Sequence, residues 1–107
     1  MVLSLLKFTA APDKRQAIIE ILRTVERRIR GKLGCLECEI YERGGKEATA
    51  ILYLEKWKSK EDLHRHIQSD AYVLLLTAME FGKQEPEIYF HEIPEEGRME
   101  VIKNLRS

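Results

Sequence analysis

The sequence lacks three features that would place it in large classes of protein. No apolar run approaches the roughly 20 residues that a membrane-spanning helix needs. Net charge is absent, because 18 lysines and arginines balance 18 aspartates and glutamates, and this balance argues against nucleic acid as the main partner. No basic segment followed by an apolar stretch and a small-residue cleavage site is visible near residue 1, so no secretory signal is indicated and a cytoplasmic location is expected.

Cysteine is also scarce, with Cys35 and Cys38 as the only two in the chain. Their Cys-x-x-Cys spacing occurs in redox pairs and in zinc sites. A redox pair is expected at the N-terminus of a helix, whereas these residues begin a predicted strand. A zinc site would need two further ligands, and no second cysteine pair exists. We interpret both residues as small buried hydrophobes.

The 107 residues are enough for one domain with a thin core. Apolar residues make up 44% and charged residues 34%, a composition typical of a soluble globular protein. We divide the chain into a domain over residues 1–93 and a C-terminal extension over residues 94–107. The extension carries enough apolar residues for a short helix packed on the domain or on a dimer: Met99, Val101, Ile102 and Leu105.

Hydrophobic periodicity and turn residues predict the order β-α-β-β-α-β, with the second helix broken at Ser69 and Asp70. In the second strand, Leu36, Cys38 and Ile40 are expected to share one face. This order is that of a ferredoxin-like α+β fold with an antiparallel sheet. The predicted strands cover residues 2–9, 35–43, 47–57 and 87–93, and the predicted helices cover residues 13–31 and 59–81.

The first and third predicted strands are apolar on both faces. In the first strand, Leu3 and Leu5 lie on one face while Leu6 and Phe8 lie on the other. Helices cover only one face of such a sheet, and at about 25 cal/mol per Å² an uncovered apolar face costs several kcal/mol. A second copy of the chain is the simplest cover. The sequence therefore predicts a homodimer in which two sheets pack face to face as a dimeric α+β barrel.

One histidine falls on the apolar side of a predicted helix. Ser59 and Asp62 form a variant of the capping box, which begins the helix. Leu63, His66 and Ile67 then follow at i, i+3 and i+4, so they share one face. His66 is therefore predicted to point toward the core.

No metal site is predicted around this histidine. His64 lies about 200° from His66 around the helix, so the two cannot hold one ion. His91 lies on the fourth predicted strand, and the sequence identifies no partners for it. Trp57, the only tryptophan of the chain, lies at the end of the predicted strand just before this helix.

The combined pattern resembles the antibiotic biosynthesis monooxygenase (ABM) family over about residues 2–93. Two stretches of the second strand, Gly34-Cys35-Leu36 and Glu39-Ile40-Tyr41, also resemble that family. The resemblance implies dimeric α+β barrels with a pocket in each subunit, between the sheet and the helices. The main motif is Leu54-Glu55-Lys56-Trp57-Lys58-Ser59 followed by Leu63, His66, Ser69 and Tyr72.

The resemblance leaves several activities open. Several members of the family oxygenate aromatic or quinol substrates without metal or flavin, so no cofactor is expected here. Others degrade haem, some act on signalling molecules, and many have no known activity. Membership of the fold therefore does not establish catalysis.

Oxygenation without a cofactor requires an electron-rich substrate, such as a phenol, that can reduce oxygen once it is deprotonated. His66 is the candidate catalytic base, because an unperturbed histidine has a pKa of about 6.5. Trp57 is the candidate wall on which the substrate stacks, and Tyr72 and Tyr53 are candidate hydrogen-bond donors to it. The alternative is that His66 is a core histidine bonded to a tyrosine or to Glu55.

Two non-catalytic functions also stay open: binding of a small ligand by a dimer of this fold, and a purely structural homodimer. Haem degradation is disfavoured by the resemblance itself. Haem-degrading relatives align a tryptophan with His66 and their iron-binding histidine with Leu76, and an apolar leucine cannot ligate iron. Those relatives also use an asparagine in the first strand, whereas Asn104 is the only asparagine here.

Overall fold

The computed structural model describes residues 1–94 and 97–107 and confirms the ferredoxin-like α+β fold. Strands and helices follow the predicted order, and one further helix ends the chain. The break in the second helix falls at the predicted place. The elements are β1 (Val2–Ala10), α1 (Arg15–Ile29), β2 (Cys35–Arg43), β3 (Thr49–Trp57), α2 (Lys60–Ile67), α3 (Asp70–Glu80), β4 (Glu87–Glu92) and α4 (Met99–Arg106).

The strands form one antiparallel sheet in the order β2-β3-β1-β4. β1 pairs with β3 along its whole length and with β4 from Val2 to Lys7. Because side chains alternate along a strand, every second residue of β1 and β3 faces the core. In β3 these residues include Tyr53, Glu55 and Trp57, all of them buried.

Helix α1 packs on this face over β2 and against α3. Its apolar stripe is buried as predicted, from Ile18 through Leu22 to Ile29. The helix begins at Arg15 rather than at the predicted Asp13, because residues 11–14 form a turn in which Lys14 N donates to Ala11 O at 2.9 Å. It ends at Ile29 instead of continuing to residue 31.

A β-bulge in β2 contradicts the predicted position of Leu36. The pairing with β3 shifts between Cys35 and Glu37, so Cys35 rather than Leu36 lies opposite Trp57. The extra residue changes which face the residues before it occupy. Leu36 is consequently 53% exposed, whereas Cys38, beyond the bulge, is fully buried.

The centre of the sheet face opposite the helices is apolar, as expected, and the ion pairs Lys7–Glu87 and Lys56–Glu37 border it. Leu5 of β1 lies opposite Leu54 of β3. Leu3 and Leu52 adjoin this pair, and all four leucines are only partly buried in the single chain. Tyr89 of β4 continues the patch opposite Leu5 and is 44% exposed. We call the four leucines and Tyr89 the open sheet face.

Helix α4 lies at the end of the chain, and none of its residues is buried. Its apolar side chains, which the sequence predicted to need a covering surface, are therefore exposed in the single chain. The described part of the chain includes no helix with the length and apolar character that crossing a membrane requires.

Candidate active site

The site is organised around Glu55, a fully buried carboxylate on β3. Tyr53 and Trp57 flank it at i−2 and i+2 and therefore lie on the same face of the strand. The Tyr53 hydroxyl donates to Glu55 Oε2 at 2.6 Å, and Trp57 Nε1 donates to Oε1 at 3.0 Å. His66 Nε2, from α2, lies 2.8 Å from Oε2. Strand periodicity and one helix face thus bring these four side chains together.

The donors around Glu55 assign the tautomer of His66. A carboxylate that accepts from a phenol and an indole is best satisfied as the ionised acceptor. His66 Nε2 must then carry a proton and donate it, which leaves Nδ1 of the neutral ring with a lone pair. Burial of the phenol, and then the charge on Glu55, raise the pKa of Tyr53, so Tyr53 stays a donor.

His66 Nδ1 has no hydrogen-bond partner although it is buried. Across residues 1–94 and 97–107 it is the only buried side-chain nitrogen or oxygen in this condition. Leaving such an atom unpaired costs about 1–3 kcal/mol. A free lone pair on an otherwise oriented imidazole is what a general base requires.

Aromatic rings hold the imidazole on two sides. The Trp57 ring stacks on His66 with centroids 4.8 Å apart and an interplanar angle of 28°. Tyr72, from α3, meets the same ring edge-on at 5.3 Å. These contacts restrict rotation of His66 and keep Nε2 on Glu55.

A cavity of about 370 Å³ lies beside this cluster, between α2 and the loop that follows α1. Its volume is within the range of small-ligand sites. Trp57 and His66 contribute to its wall, so the structure brings the predicted base and the predicted stacking residue to one cavity. The lining residues are Lys32, Leu33, Trp57, Asp62, Arg65, His66 and Ser69.

The two predicted tyrosines lie elsewhere. Tyr53 is on the far side of Glu55, fully buried, and accepts a weak hydrogen bond from Cys38 Sγ at 3.4 Å. Tyr72 contacts the His66 ring but does not line the cavity. Burial, followed by the charge of Glu55, raises the pKa of Tyr72.

The mouth of the cavity carries both signs of charge. Arg65 Nη1 donates to Asp62 Oδ1 at 2.9 Å, and Ser59 Oγ donates to Asp62 Oδ2 at 2.8 Å while accepting from Asp62 N. The Ser59 hydrogen bond, and then Arg65, lower the pKa of Asp62. The predicted variant of the capping box therefore forms, with the Asp62 carboxylate bonded to the Ser59 hydroxyl, and it fixes the first turn of the helix that carries His66.

Gly34 connects this cap to the sheet. Its φ of +89° suits glycine, and a Cβ at this position would overlap the Asp62 carboxyl group. Its carbonyl accepts from Lys58 N at 2.8 Å. The loop after α1 is therefore closely packed against the start of α2.

The cysteines are free thiols, Cys38 buried and Cys35 partly buried. Desolvation raises the pKa of Cys38 to about 12 and is also the largest cause of the raised pKa of Cys35. In the described ranges no three His, Cys, Asp or Glu side chains are grouped closely enough to hold a metal ion. Leu76 lines a different groove from the cavity beside His66.

Sequence reasoning treated Glu55 only as a possible partner of a core histidine and missed it as the centre of the hydrogen-bond network. The signal was present in the spacing Tyr53-x-Glu55-x-Trp57, which predicts one face of a strand. Lys32 and Leu33 were also missed, because no local pattern indicates that a loop after one helix meets another helix.

Solved structures with the same fold include Rv0793 from Mycobacterium tuberculosis, which is 20% identical, with a TM-score of 0.79 over 91% of this chain and 98% of that one. A protein from Deinococcus radiodurans, named as a candidate antibiotic biosynthesis monooxygenase, is 19% identical, with a TM-score of 0.80 over 92% and 97%. PA3566 from Pseudomonas aeruginosa is 20% identical, with a TM-score of 0.73 over 88% and 94%. At these identities the likeness establishes the fold alone.

A search of curated proteins finds no match to this chain. The family profile described as antibiotic biosynthesis monooxygenase, however, matches residues 1–74. That segment runs from β1 into α3 and includes Glu55, Trp57 and His66. The chain therefore belongs to the antibiotic biosynthesis monooxygenase (ABM) family.

Proposed function

We propose that this protein is a cofactor-independent monooxygenase of a small aromatic or quinol-type substrate. The observation that carries the proposal is the buried, unpaired Nδ1 of His66, on a ring that Glu55 orients through Nε2 at 2.8 Å. Trp57, in the wall of the cavity next to that ring, supplies a flat apolar surface on which an aromatic substrate stacks.

The proposed reaction converts a phenol and oxygen into a quinone and water. His66 Nδ1 takes the phenolic proton, and the phenolate donates electrons to O₂ so that a C–O bond forms at a ring carbon. His66 returns its proton to the terminal oxygen of the resulting peroxide. The O–O bond then breaks as the ring carbon loses its hydrogen as a proton, and the leaving hydroxide combines with that proton to give water. The substrate loses two electron pairs in all, and O₂ is the only oxidant that accepts them.

Access to the base is part of this proposal. Nδ1 has almost no exposed surface, so proton transfer requires the wall beside His66 to open. Hydrogen bonds that catalysis needs are often absent before substrate binds. Lys32 at the cavity favours the phenolate over the neutral phenol.

Oxygen uptake with a panel of hydroquinones and phenols tests the activity. We expect substrate-dependent uptake by the wild type and a loss of about 10²-fold or more in His66→Ala. His64→Ala is the matched control, because His64 is an exposed histidine on the same helix. Uptake by His66→Ala equal to that of the wild type would remove His66 from the mechanism.

A second candidate is non-catalytic binding of a small apolar ligand. The tight packing of His66 by Glu55, Trp57 and Tyr72 favours it, because such a histidine also serves as a rigid wall. Saturable binding of a hydroquinone with no oxygen uptake would identify this function. A structural dimer with neither property is the remaining alternative.

We also propose that the protein is a homodimer in which the open sheet faces of two copies pack together. Partly exposed leucines on both central strands support this arrangement. Sedimentation of Leu54→Arg, compared with Leu33→Arg at a position 88% exposed, tests it. Only the Leu54 variant should dissociate.

The two free thiols support a reducing compartment such as the cytoplasm.

A further inference from the structure

Helix α4 presents an uncovered apolar stripe. Val101, Ile102 and Leu105 fall within an arc of about 100° around the helix, with Met99 at one edge. Their exposed fractions are 48%, 50% and 82%. A helix of eight residues is too short to persist in water by itself, so this stripe requires a surface to pack on.

A matching groove lies between α3 and β4. Its volume is about 430 Å³ and its floor is apolar. Leu76 on α3 and Ile88 on β4 form opposite walls, and each is about half exposed. We call this the α3–β4 groove, which is lined by Leu76, Met79, Glu80, Glu85, Pro86 and Ile88.

The charges beside the two surfaces are complementary. The groove carries two acidic residues, Glu80 and Glu85. The stripe on α4 is bordered near Met99 by two basic residues, Lys103 and Arg106. Within residues 1–94 and 97–107 none of these four charged groups takes part in an ion pair.

We infer that α4 of one copy occupies the α3–β4 groove of a second copy. The apolar stripe would cover Leu76 and Ile88, and Lys103 and Arg106 would lie near Glu80 and Glu85. In its own chain α4 leaves the groove open, since no residue of α4 lines it. This inference rests on the homodimer proposed above.

The position of β4 connects the two contacts. It is an edge strand that borders the open sheet face through Tyr89 and the α3–β4 groove through Ile88. A segment leaving a partner packed on the open sheet face needs only to pass this edge to reach the groove. The exchange would give β4, now exposed along its whole length, a cover on both sides.

Disulfide trapping tests the inference in the full-length chain, with both native cysteines replaced by serine. Ile88→Cys and Ile102→Cys are made in separate chains with tags of different size, then refolded together and oxidised. We expect the mixed dimers, about half of the protein when the two chains pair at random, to become covalent dimers that contain one chain of each kind. Glu100→Cys paired with Ile88→Cys is the matched control, because Glu100 lies outside the stripe. This pair should form little covalent dimer.

Two outcomes would overturn the inference. One is equal crosslinking by the Glu100 and Ile102 variants. The other is a covalent monomer from a single chain carrying both Ile88→Cys and Ile102→Cys, which would place α4 in its own groove. Light scattering separates the two proposals: a wild-type dimer without the crosslink refutes only the exchange of α4, whereas a wild-type monomer at micromolar concentration refutes the homodimer as well.

Discussion

Glu55 and His66 share a hydrogen bond of 2.8 Å, and each side chain is only 1% exposed. The carboxylate belongs to a central strand, whereas the imidazole belongs to the last turn of a two-turn helix. The geometry of the proposed base therefore depends on how the helix docks on the sheet. Each of the following predictions perturbs one part of that arrangement.

Glu55→Gln should weaken both stability and activity. The amide retains the shape of the side chain but loses the charge that three donors share, at a cost of about 2 kcal/mol in the free energy of unfolding. Because the neutral amide no longer fixes the His66 tautomer, oxygen uptake should fall by about 10²-fold. Urea unfolding and kcat measure the two effects.

The matched control is Glu47→Gln, at an exposed position before β3, which should change neither quantity. An unchanged free energy of unfolding in Glu55→Gln would contradict the assignment of Glu55 as an ionised acceptor.

Gly34→Ala should destabilise the fold by about 1–3 kcal/mol. The position has a φ of +89°, and an added Cβ would collide with the Asp62 carboxyl group that caps α2. Thermal or urea unfolding measures the loss. Gly31→Ala is the control, because a Cβ there meets no atom within 4 Å. Equal effects at the two glycines would show that the contact with Asp62 is unimportant.

Alkaline pH should reveal the burial of Cys38, whose pKa is raised to about 12. In the unfolded chain a thiol ionises near pH 8.5, so the unfolded state loses its proton first. The contribution of the buried Cys38 thiol to the free energy of unfolding is therefore complete below pH 8.5. It declines as the pH rises toward 12, by at most about 1.4 kcal/mol per pH unit. Urea unfolding of wild type and Cys38→Ala between pH 8 and 10 checks the difference.

The same burial predicts which thiol reacts. A thiol reagent at pH 8 should modify the partly buried Cys35 and leave Cys38 unmodified until the protein unfolds. Peptide mass analysis identifies the modified residue. Rapid modification of Cys38 in the folded protein would contradict its position in the core.

Trp57 should report ligand binding, because the only tryptophan of the chain contributes to the cavity wall. Hydroquinone should quench its fluorescence to a saturating level. Leu33→Ala, which removes apolar surface from the same cavity, should weaken the affinity by roughly 1 kcal/mol, or about fivefold in Kd. Quenching that rises linearly with hydroquinone concentration, as it does for a free indole, would show that the cavity does not bind this ligand.

The fold was largely predictable because local signals agreed with one another. The apolar stripe from Ile18 to Ile29 indicates one helix, and the break at Ser69 and Asp70 indicates where another is divided. The bulge at Leu36 was not predictable, because strand alternation continues through it without a turn residue. Its position is decided by pairing with β3, which is a long-range property.

The candidate site, like the fold, could be predicted from the sequence only in part. The cluster of Glu55, Trp57 and His66 follows from the periods of one strand and one helix, and Trp57 and His66 were identified from them. The contribution of Lys32 and Leu33 depends on the path of a loop in three dimensions. The packing of Tyr53 behind Glu55, away from the cavity, likewise required the geometry of the folded chain.

The irregularity in β2 has a consequence for the hollow next to the indole. In a straight strand Leu36 would stand opposite Trp57, and its branched side chain would occupy that neighbourhood. Because one additional residue is accommodated at the rim of the sheet, the smaller thiol of Cys35 takes the position instead. Regular pairing of the full-length strand would bring the leucine to this place, whereas deleting Leu36 would leave Cys35 opposite Trp57. The room available to a guest molecule is therefore set by the path of the strand as much as by side-chain choice.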